Sequence, residues 1–288
     1  MEVLETEIYR YYQTRMNLVP HLPETQSISP AALIQKYDAF FFDAFGTLYN
    51  REHYVYPGAL AFFRLLRKGK KHIRLITNSA SRVPKLMLSD LHEMGFDFIE
   101  SEILSSGNLF AEETKKDSFV EAFYLGRPRG KAFAEAAGVK ICKNPKNPVV
   151  IVSSKNQDPQ MTAHATEILK RPGSCLWVLN PDAWAPFADG TREPVSGACA
   201  HTLKKVTNCR TEYCGKPFPL IFKKALQSLP IKAKAVMIGD TLGTDIAGAF
   251  GAGIDSALIP GRNMELKKLS ADEALLGLRP TYYLNFQT

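Results

Sequence analysis

The chain has 288 residues, 45% hydrophobic and 23% charged, the mix of an ordinary globular protein with room for a full core and a second, smaller domain. No apolar run approaches the roughly 20 residues that span a bilayer, and the N-terminus, MEVLETEIYRYYQTRMNL, has no apolar signal core, so no membrane role is expected and cytoplasm is the expected compartment. The net charge of +7 is spread over short basic clusters such as Arg67-Lys68-Gly69-Lys70-Lys71. With no basic stripe interleaved with aromatics, it reads as a mildly basic surface that attracts anionic substrates, not nucleic acid.

Residues 1–36 read as a helical extension loosened by Pro20, Pro23 and Pro30. Ala39-Phe40-Phe41-Phe42 follows, an unbroken apolar run of the kind that suits a strand buried on both faces of a parallel sheet. It ends at Asp43, with Gly46-Thr47 just beyond. Pro57-Gly58 opens a helix, ALAFFRLLRKG, that stops at Gly69 before a second strand, Ile73 to Thr77. SRVPKLMLSDLHEMGF has helical spacing, and SEILSSGNLFAEETKK reads as a short strand or loop into another helix.

Near residue 117 the texture changes. FVEAFYLG, the helix KAFAEAAG, the strand Pro148 to Val152 and the strand CLWVLN form a new βαβ series, followed by a loop rich in Pro, Gly and Asp. After Cys209 the first pattern is expected to resume, with strands TEYCG, KAVMIGD and DSALIP and helices LIFKKALQSL and DIAGAFGAG. The expected fold is therefore α/β: a Rossmann-like, doubly wound parallel sheet (1–116 and 209–288) interrupted by an inserted α/β domain (117–208). Cys142, Cys175, Cys199, Cys209 and Cys214 form no CxxC and read as reduced thiols. The six histidines are dispersed, so no structural zinc site is expected.

Three strands end in polar residues where each feeds a turn: Phe42-Asp43, Ile76-Thr77-Asn78 and Ile238-Gly239-Asp240. In an open α/β sheet, ligands bind beyond the carboxyl ends of the strands, so these groups can converge although Thr77 and Asp240 lie 34 and 197 positions beyond Asp43. Gly215-Lys216-Pro217 at an expected helix start adds a cation.

As a set, these residues resemble the haloacid dehalogenase (HAD) superfamily. FFFDAFGTL resembles its first motif, LITNS its second, GKP supplies its lysine, and IGDTLGTDIAGAFGAG resembles the GDxxxTD form of its fourth. GKP with GDxxxTDI, and the large insertion between motifs two and three, is similar to the NagD-like branch (class IIA), and Asn180-Pro181-Asp182 and Ser196-Gly197-Ala198 look like that branch's cap pattern. The resemblance implies an active site between core and cap. There Asp43 attacks a phosphoryl group and forms an aspartyl-phosphate. Mg2+ is implied as the cofactor, with Asp43, the backbone carbonyl of Phe45 and Asp240 as ligands and Asp245 orienting metal-bound water. Thr77 and the Asn78 amide would bind phosphoryl oxygens, and Lys216 would neutralise charge as it builds. Asn180 and Asp182 stand between substrate contact and turn chemistry; Trp177 and Trp184 read as packing. The substrate implied is a small phosphorylated metabolite, and because cap surfaces of such proteins often pair, a homodimer is one expectation.

One position departs from the pattern. Phosphatases of the superfamily carry a second aspartate two residues after the nucleophile, as general acid and then base; here that residue is Phe45, read as a packed ring. Haloacid dehalogenases also carry an aromatic residue there, but they lack GDxxxTD, so Asp240 and Asp245 weigh against that reading. Three readings stay open. The chain hydrolyses phosphates with good leaving groups; or another acid, such as His53, supplies the proton; or it is a weak or inactive member that binds a phosphorylated ligand through its cap.

Overall fold

The computed structural model describes residues 2–50, 52–114, 119–154, 158–186, 191–262 and 266–286. The first part of the chain holds α1 (Val3–Arg15), β1 (Gln26–Ile28), α2 (Pro30–Lys36), β2 (Ala39–Phe42), α3 (Ala59–Lys68) and β3 (His72–Thr77). It continues through α4 (Pro84–Glu93), β4 (Ile103–Ser105) and α5 (Ser106–Glu113). The middle holds β5 (Glu121–Leu125), α6 (Lys131–Ala136), β6 (Lys140–Ile141), β7 (Val149–Val152), α7 (Pro159–Leu169) and β8 (Cys175–Val178). It closes with β9 (Trp184–Pro186), β10 (Arg192–Pro194), α8 (Ser196–Thr207) and β11 (Arg210–Tyr213). The last part holds α9 (Pro219–Gln227), β12 (Ala235–Gly239), α10 (Ala247–Gly251), β13 (Asp255–Leu258), α11 (Leu269–Leu276) and β14 (Tyr282–Leu284).

Two parallel sheets result, ordered β1-β14-β13-β12-β2-β3-β4 and β11-β8-β7-β5-β6, with β9 and β10 a separate antiparallel pair. The α/β fold with an inserted α/β layer is as the sequence led one to expect. One strand changes sides. Residues 210–213, expected to resume the first sheet, pair in parallel with β8 from Arg210↔Cys175 to Tyr213↔Val178. The second sheet therefore ends past residue 208. The other expected junction, 116/117, lies outside the described residues.

β2 explains why the first sheet holds. All four of its residues are buried, and the pleat sends Phe40 and Phe42 into one apolar cluster and Ala39 and Phe41 into the other. α3 covers the first cluster by burying Ala59, Phe62, Phe63 and Leu66, a helical stripe whose Phe62 meets Phe40 edge-on at 6.0 Å. The second cluster runs from Phe41 and Ile76 through Phe110 to Trp177 of β8, so both layers share apolar contacts. Trp177 is a packing residue, as expected.

The N-terminal helix has a role that its sequence does not announce. On one side of α1, Tyr12 donates its hydroxyl to the carbonyl of Pro181 at 2.9 Å, and Glu5 is paired with Arg192 at 2.6 Å. On the other, Arg10 and Gln13 donate to the carbonyls of Leu275 and Leu276 at the end of α11. α1 thus grips both layers at once. None of the described helices is long and apolar enough to cross a membrane.

Candidate active site

From β2 the chain moves outward through β3 and β4 on one side of the sheet, then returns to lay β12 against the other side of β2. The reversal leaves a crevice beyond the carboxyl ends of β2 and β12, where open α/β sheets bind ligands. Register makes the strand ends neighbours, since Phe42 pairs with both Leu75 and Ile238. Asp43, Thr77 and Asp240, far apart in sequence, meet there.

Lys216 is the hub. Its side chain is 2% exposed, and its ammonium contacts the carboxylates of Asp43 and of Asp245, the latter at 2.8 Å. Burial alone would lower its pKa, but Asp245 and Asp43 outweigh that and hold the ammonium above its ordinary value. Asp245 sits in a wide π-type turn (Leu242–Ile246) before α10, not at a helix N-cap, and its Oδ2 accepts from the main-chain N–H groups of Asp240 and Thr241, both at 3.1 Å. That turn replaces the first part of the helix expected at DIAGAF. Burial, then the neighbouring Asp245, raises the Asp43 carboxyl to about 7 against the pull of Lys216; burial, Asp43 and Asp245 hold Asp240 well above the usual carboxylate range.

This crowding is chemically informative. Asp43, Asp240 and Asp245 each offer a carboxylate oxygen, all within 4.8 Å of one another, and two of them, Asp43 and Asp245, pair with Lys216. A buried, oxygen-only donor set with excess negative charge fits a hard divalent cation such as Mg2+ and not zinc. Two glycines make the geometry attainable. Gly46, at φ +81°, has a Cβ direction that runs into the Asp240 carboxylate; Gly215, at φ +94°, has one that runs into Asn78 Oδ1.

The Asn78 side chain has partners of its own. Its Oδ1 accepts from the Lys216 main-chain N–H at 2.7 Å, while Nδ2 donates to Lys216 O at 2.9 Å and to Asp182 Oδ1 at 2.8 Å. The side-chain amide is spent on holding lysine and cap together, which leaves only the main-chain N–H for a phosphoryl oxygen. Thr77 is buried, its Oγ1 accepting from Ser79 N at 3.2 Å, so its hydroxyl proton stays available.

A cavity of about 1050 Å³ opens above these groups, lined by Asp43, Thr77, Lys216 and Asp240 below and by Asn180 and Asp182 above. Asn180 makes a turn, its Oδ1 accepting from Asp182 N at 2.8 Å, and Gly197 N donates to Asp182 O at 2.9 Å. The Cβ of any other residue at 197 would strike that loop's carbonyls, which accounts for the Ser196-Gly197-Ala198 pattern. Trp184 is buried but also faces the cavity.

Phe45 is not packed in the core. It is 39% exposed and lies in the cavity wall against Tyr49, ring centroids 5.0 Å apart. His53 lies in the same wall, its Nε2 3.9 Å from Asp90 Oδ2. Sequence reasoning passed over Tyr9, Arg82, Arg127, Arg129 and Arg262, which also line the cavity. Only the RPRG stretch carried a signal for them, and it is no different from other basic clusters on the surface.

A family model described as haloacid dehalogenase-like hydrolase matches residues 40–140, and one described as HAD-hydrolase-like matches residues 213–285. Mouse chronophin is 29% identical over 231 residues, 75% of this chain and 78% of chronophin. A solved structure from Cytophaga hutchinsonii, described as a possible sugar phosphatase of the HAD superfamily, aligns at 25% identity with TM-score 0.80, covering 91% of this chain and 98% of that one. NagD from Escherichia coli K-12 shares the fold at TM-score 0.69 and 23% identity, covering 86% and 96% of the two chains.

Proposed function

Because the chain belongs to the haloacid dehalogenase-like hydrolases, we propose that it is a magnesium-dependent phosphatase that cleaves a small phosphorylated metabolite through an aspartyl-phosphate on Asp43. The observation that carries this reading is the buried group of Asp43, Lys216, Asp240 and Asp245 at the floor of a cavity roofed by the second layer. The Cytophaga hutchinsonii protein's description as a phosphatase supports the reaction class.

An Asp43 carboxylate oxygen attacks phosphorus from below while the bond to the leaving oxygen breaks; water then attacks phosphorus, and the bond to Asp43 breaks. Lys216 pairs with Asp43 in the free protein and turns to the phosphoryl oxygens as charge moves onto them. Thr77 Oγ1 and the main-chain N–H of Asn78 donate to those oxygens. Asp43, Asp240, Asp245 and the backbone carbonyl of Phe45 are the groups that would hold Mg2+, directly or through water; the ion would supply positive charge against nucleophile and phosphoryl group. The cap wall excludes water during transfer.

The test is a panel of phosphometabolites and an acyl phosphate incubated with Mg2+, beside formation of a beryllium fluoride adduct. Wild type is expected to release phosphate and form the adduct, and Asp43→Asn to do neither while still binding phosphate ligands. The Phe45 substitution favours one second reading, a phosphate-ligand-binding protein without turnover. Large ligand-induced thermal shifts with no phosphate released by wild type would establish it. A dehalogenase, by contrast, has no use for the three-carboxylate cluster.

A further inference from the structure

With Phe45 where the resembled phosphatases carry their acid, a proton for the leaving oxygen must come from elsewhere in the cavity. The arginines that line it stay charged and donate no proton at neutral pH. His53 is turned toward Asp90, which is itself engaged by Arg82, and its side chain is 42% exposed. Asp182 is placed differently. It hangs from the cap over the floor that holds Asp43 and Lys216, and among the described residues only Asn78 hydrogen-bonds to its carboxylate, through one of its two oxygens. Its loop is fixed from four directions: Tyr12 holds Pro181 O at 2.9 Å, Ser196 Oγ holds Asn180 O at 2.9 Å, Asn180 Oδ1 holds Asp182 N at 2.8 Å, and Gly197 N holds Asp182 O at 2.9 Å. A carboxyl held this firmly, with one oxygen left to the cavity, is a positioned proton carrier.

We propose that Asp182, delivered by the cap, is the general acid and base of this enzyme in place of the aspartate missing at position 45, an assignment that rests on the phosphatase reading above. Burial, with the nearby Asp245 carboxylate, raises its carboxyl to about 6 against the effects of Lys216 and Asn78, which keeps a protonated fraction near neutral pH. In the first step an Asp43 oxygen bonds to phosphorus, the bond from phosphorus to the leaving oxygen breaks, and that oxygen takes the Asp182 proton. In the second, water bonds to phosphorus and gives a proton to the Asp182 carboxylate as the bond to Asp43 breaks. Asp182 ends as it began.

Asp182→Asn retains an oxygen for Asn78 and the loop's backbone bonds, and removes only the proton. With Mg2+ present, its turnover of glycerol phosphate should fall by about 100-fold or more. The p-nitrophenolate burst from p-nitrophenyl phosphate, whose leaving group needs no proton, should slow less than about tenfold. Adding Phe45→Asp to Asp182→Asn should restore at least about tenfold of the lost glycerol phosphate turnover. An equal loss on both substrates would assign Asp182 to cap positioning and overturn the proposal, as would no loss on either. Should Asp182→Asn not fold, wild type still decides. Its first-step rate across leaving groups from alcohols to nitrophenol should be nearly flat, and a steep dependence overturns the assignment. Wild type that neither releases phosphate nor forms a beryllium fluoride adduct fails the phosphatase reading itself. Wild type that turns over with unchanged leaving-group dependence in the variant removes only the role of Asp182.

Discussion

Asn78 donates to Asp182 at 2.8 Å and brackets the backbone of Lys216 on both its N–H and its C=O, so one side chain ties the cap to the buried lysine of the core. The cap wall and the floor of the site are held in fixed relation by a group that needs no ligand to be in place.

Asn78→Ala should therefore destabilise the protein although it removes little apolar surface. It strips hydrogen bonds from the buried N–H and C=O of Lys216 and from Asp182, at a cost of about 1–3 kcal/mol for the first group left without a partner. Urea unfolding checks the size, and Gly215, whose missing Cβ accommodates Asn78, predicts that Asn78→Leu is worse than Asn78→Ala.

Asp240→Asn should act with opposite signs in the presence and absence of metal. In EDTA it removes one of three crowded buried carboxylates, whose charge the folded state resists, so the melting temperature should rise. With Mg2+ at 100 times its dissociation constant, wild type should gain about 2.7 kcal/mol and the variant much less. Calorimetry and thermal melts read both. Wild type that binds no Mg2+ even with a phosphate mimic present would remove the metal from the mechanism.

Phe45→Ala should cost little stability, about 1 kcal/mol, well below the about 3–5 kcal/mol typical of a buried phenylalanine. The residue is 39% exposed, and among the described residues its ring rests on one aromatic partner, Tyr49. Denaturant titration decides, and a large loss would mean that the ring is packed more tightly than its exposure indicates.

Glu5→Ala should be the costliest substitution in α1. It leaves Arg192, whose guanidinium holds Glu5 through two hydrogen bonds, without its partner in a mostly buried setting. Breaking such a pair from one side costs about 3–5 kcal/mol. Tyr12→Phe, which removes one hydrogen bond to Pro181, should cost about 1 kcal/mol. Melting curves of the two variants give the comparison.

The strand ends were legible because their signal is local. A buried parallel strand reads as an unbroken apolar run, and Asp43 and Asp240 each stand where such a run meets its turn, while Thr77 closes a strand that is interrupted by Arg74 but ends on the buried pair Leu75-Ile76. β11 was misplaced because Arg-Thr-Glu-Tyr is a half-exposed edge strand whose sheet is chosen by the partner β8, not by its own pattern. β1 is a three-residue strand whose partner β14, equally short, lies at the far end of the sequence, Gln26 pairing with Tyr282. Asp245 was assigned to the site from its motif, but its turn was read as plain helix, since a π-type turn has no separate periodicity over five residues. Nothing in LITNS says that the side chain of Asn78 will be spent on a lysine 138 positions later.

The grip of α1 also sets an order of events during synthesis. The helix leaves the ribosome long before its partners do, for Pro181 follows Tyr12 by 169 residues and Leu275 follows Arg10 by 265. Ile8, Tyr9 and Tyr12, all buried in the finished protein, share their apolar cluster with residues that begin at Ala183 and Trp184 and continue through Phe218 and Leu242 to Leu276. Nascent chains stalled before residue 181 should therefore expose an aromatic helix face that recruits holding chaperones, and that recruitment should fall in stages as the partners between Ala183 and Leu276 emerge.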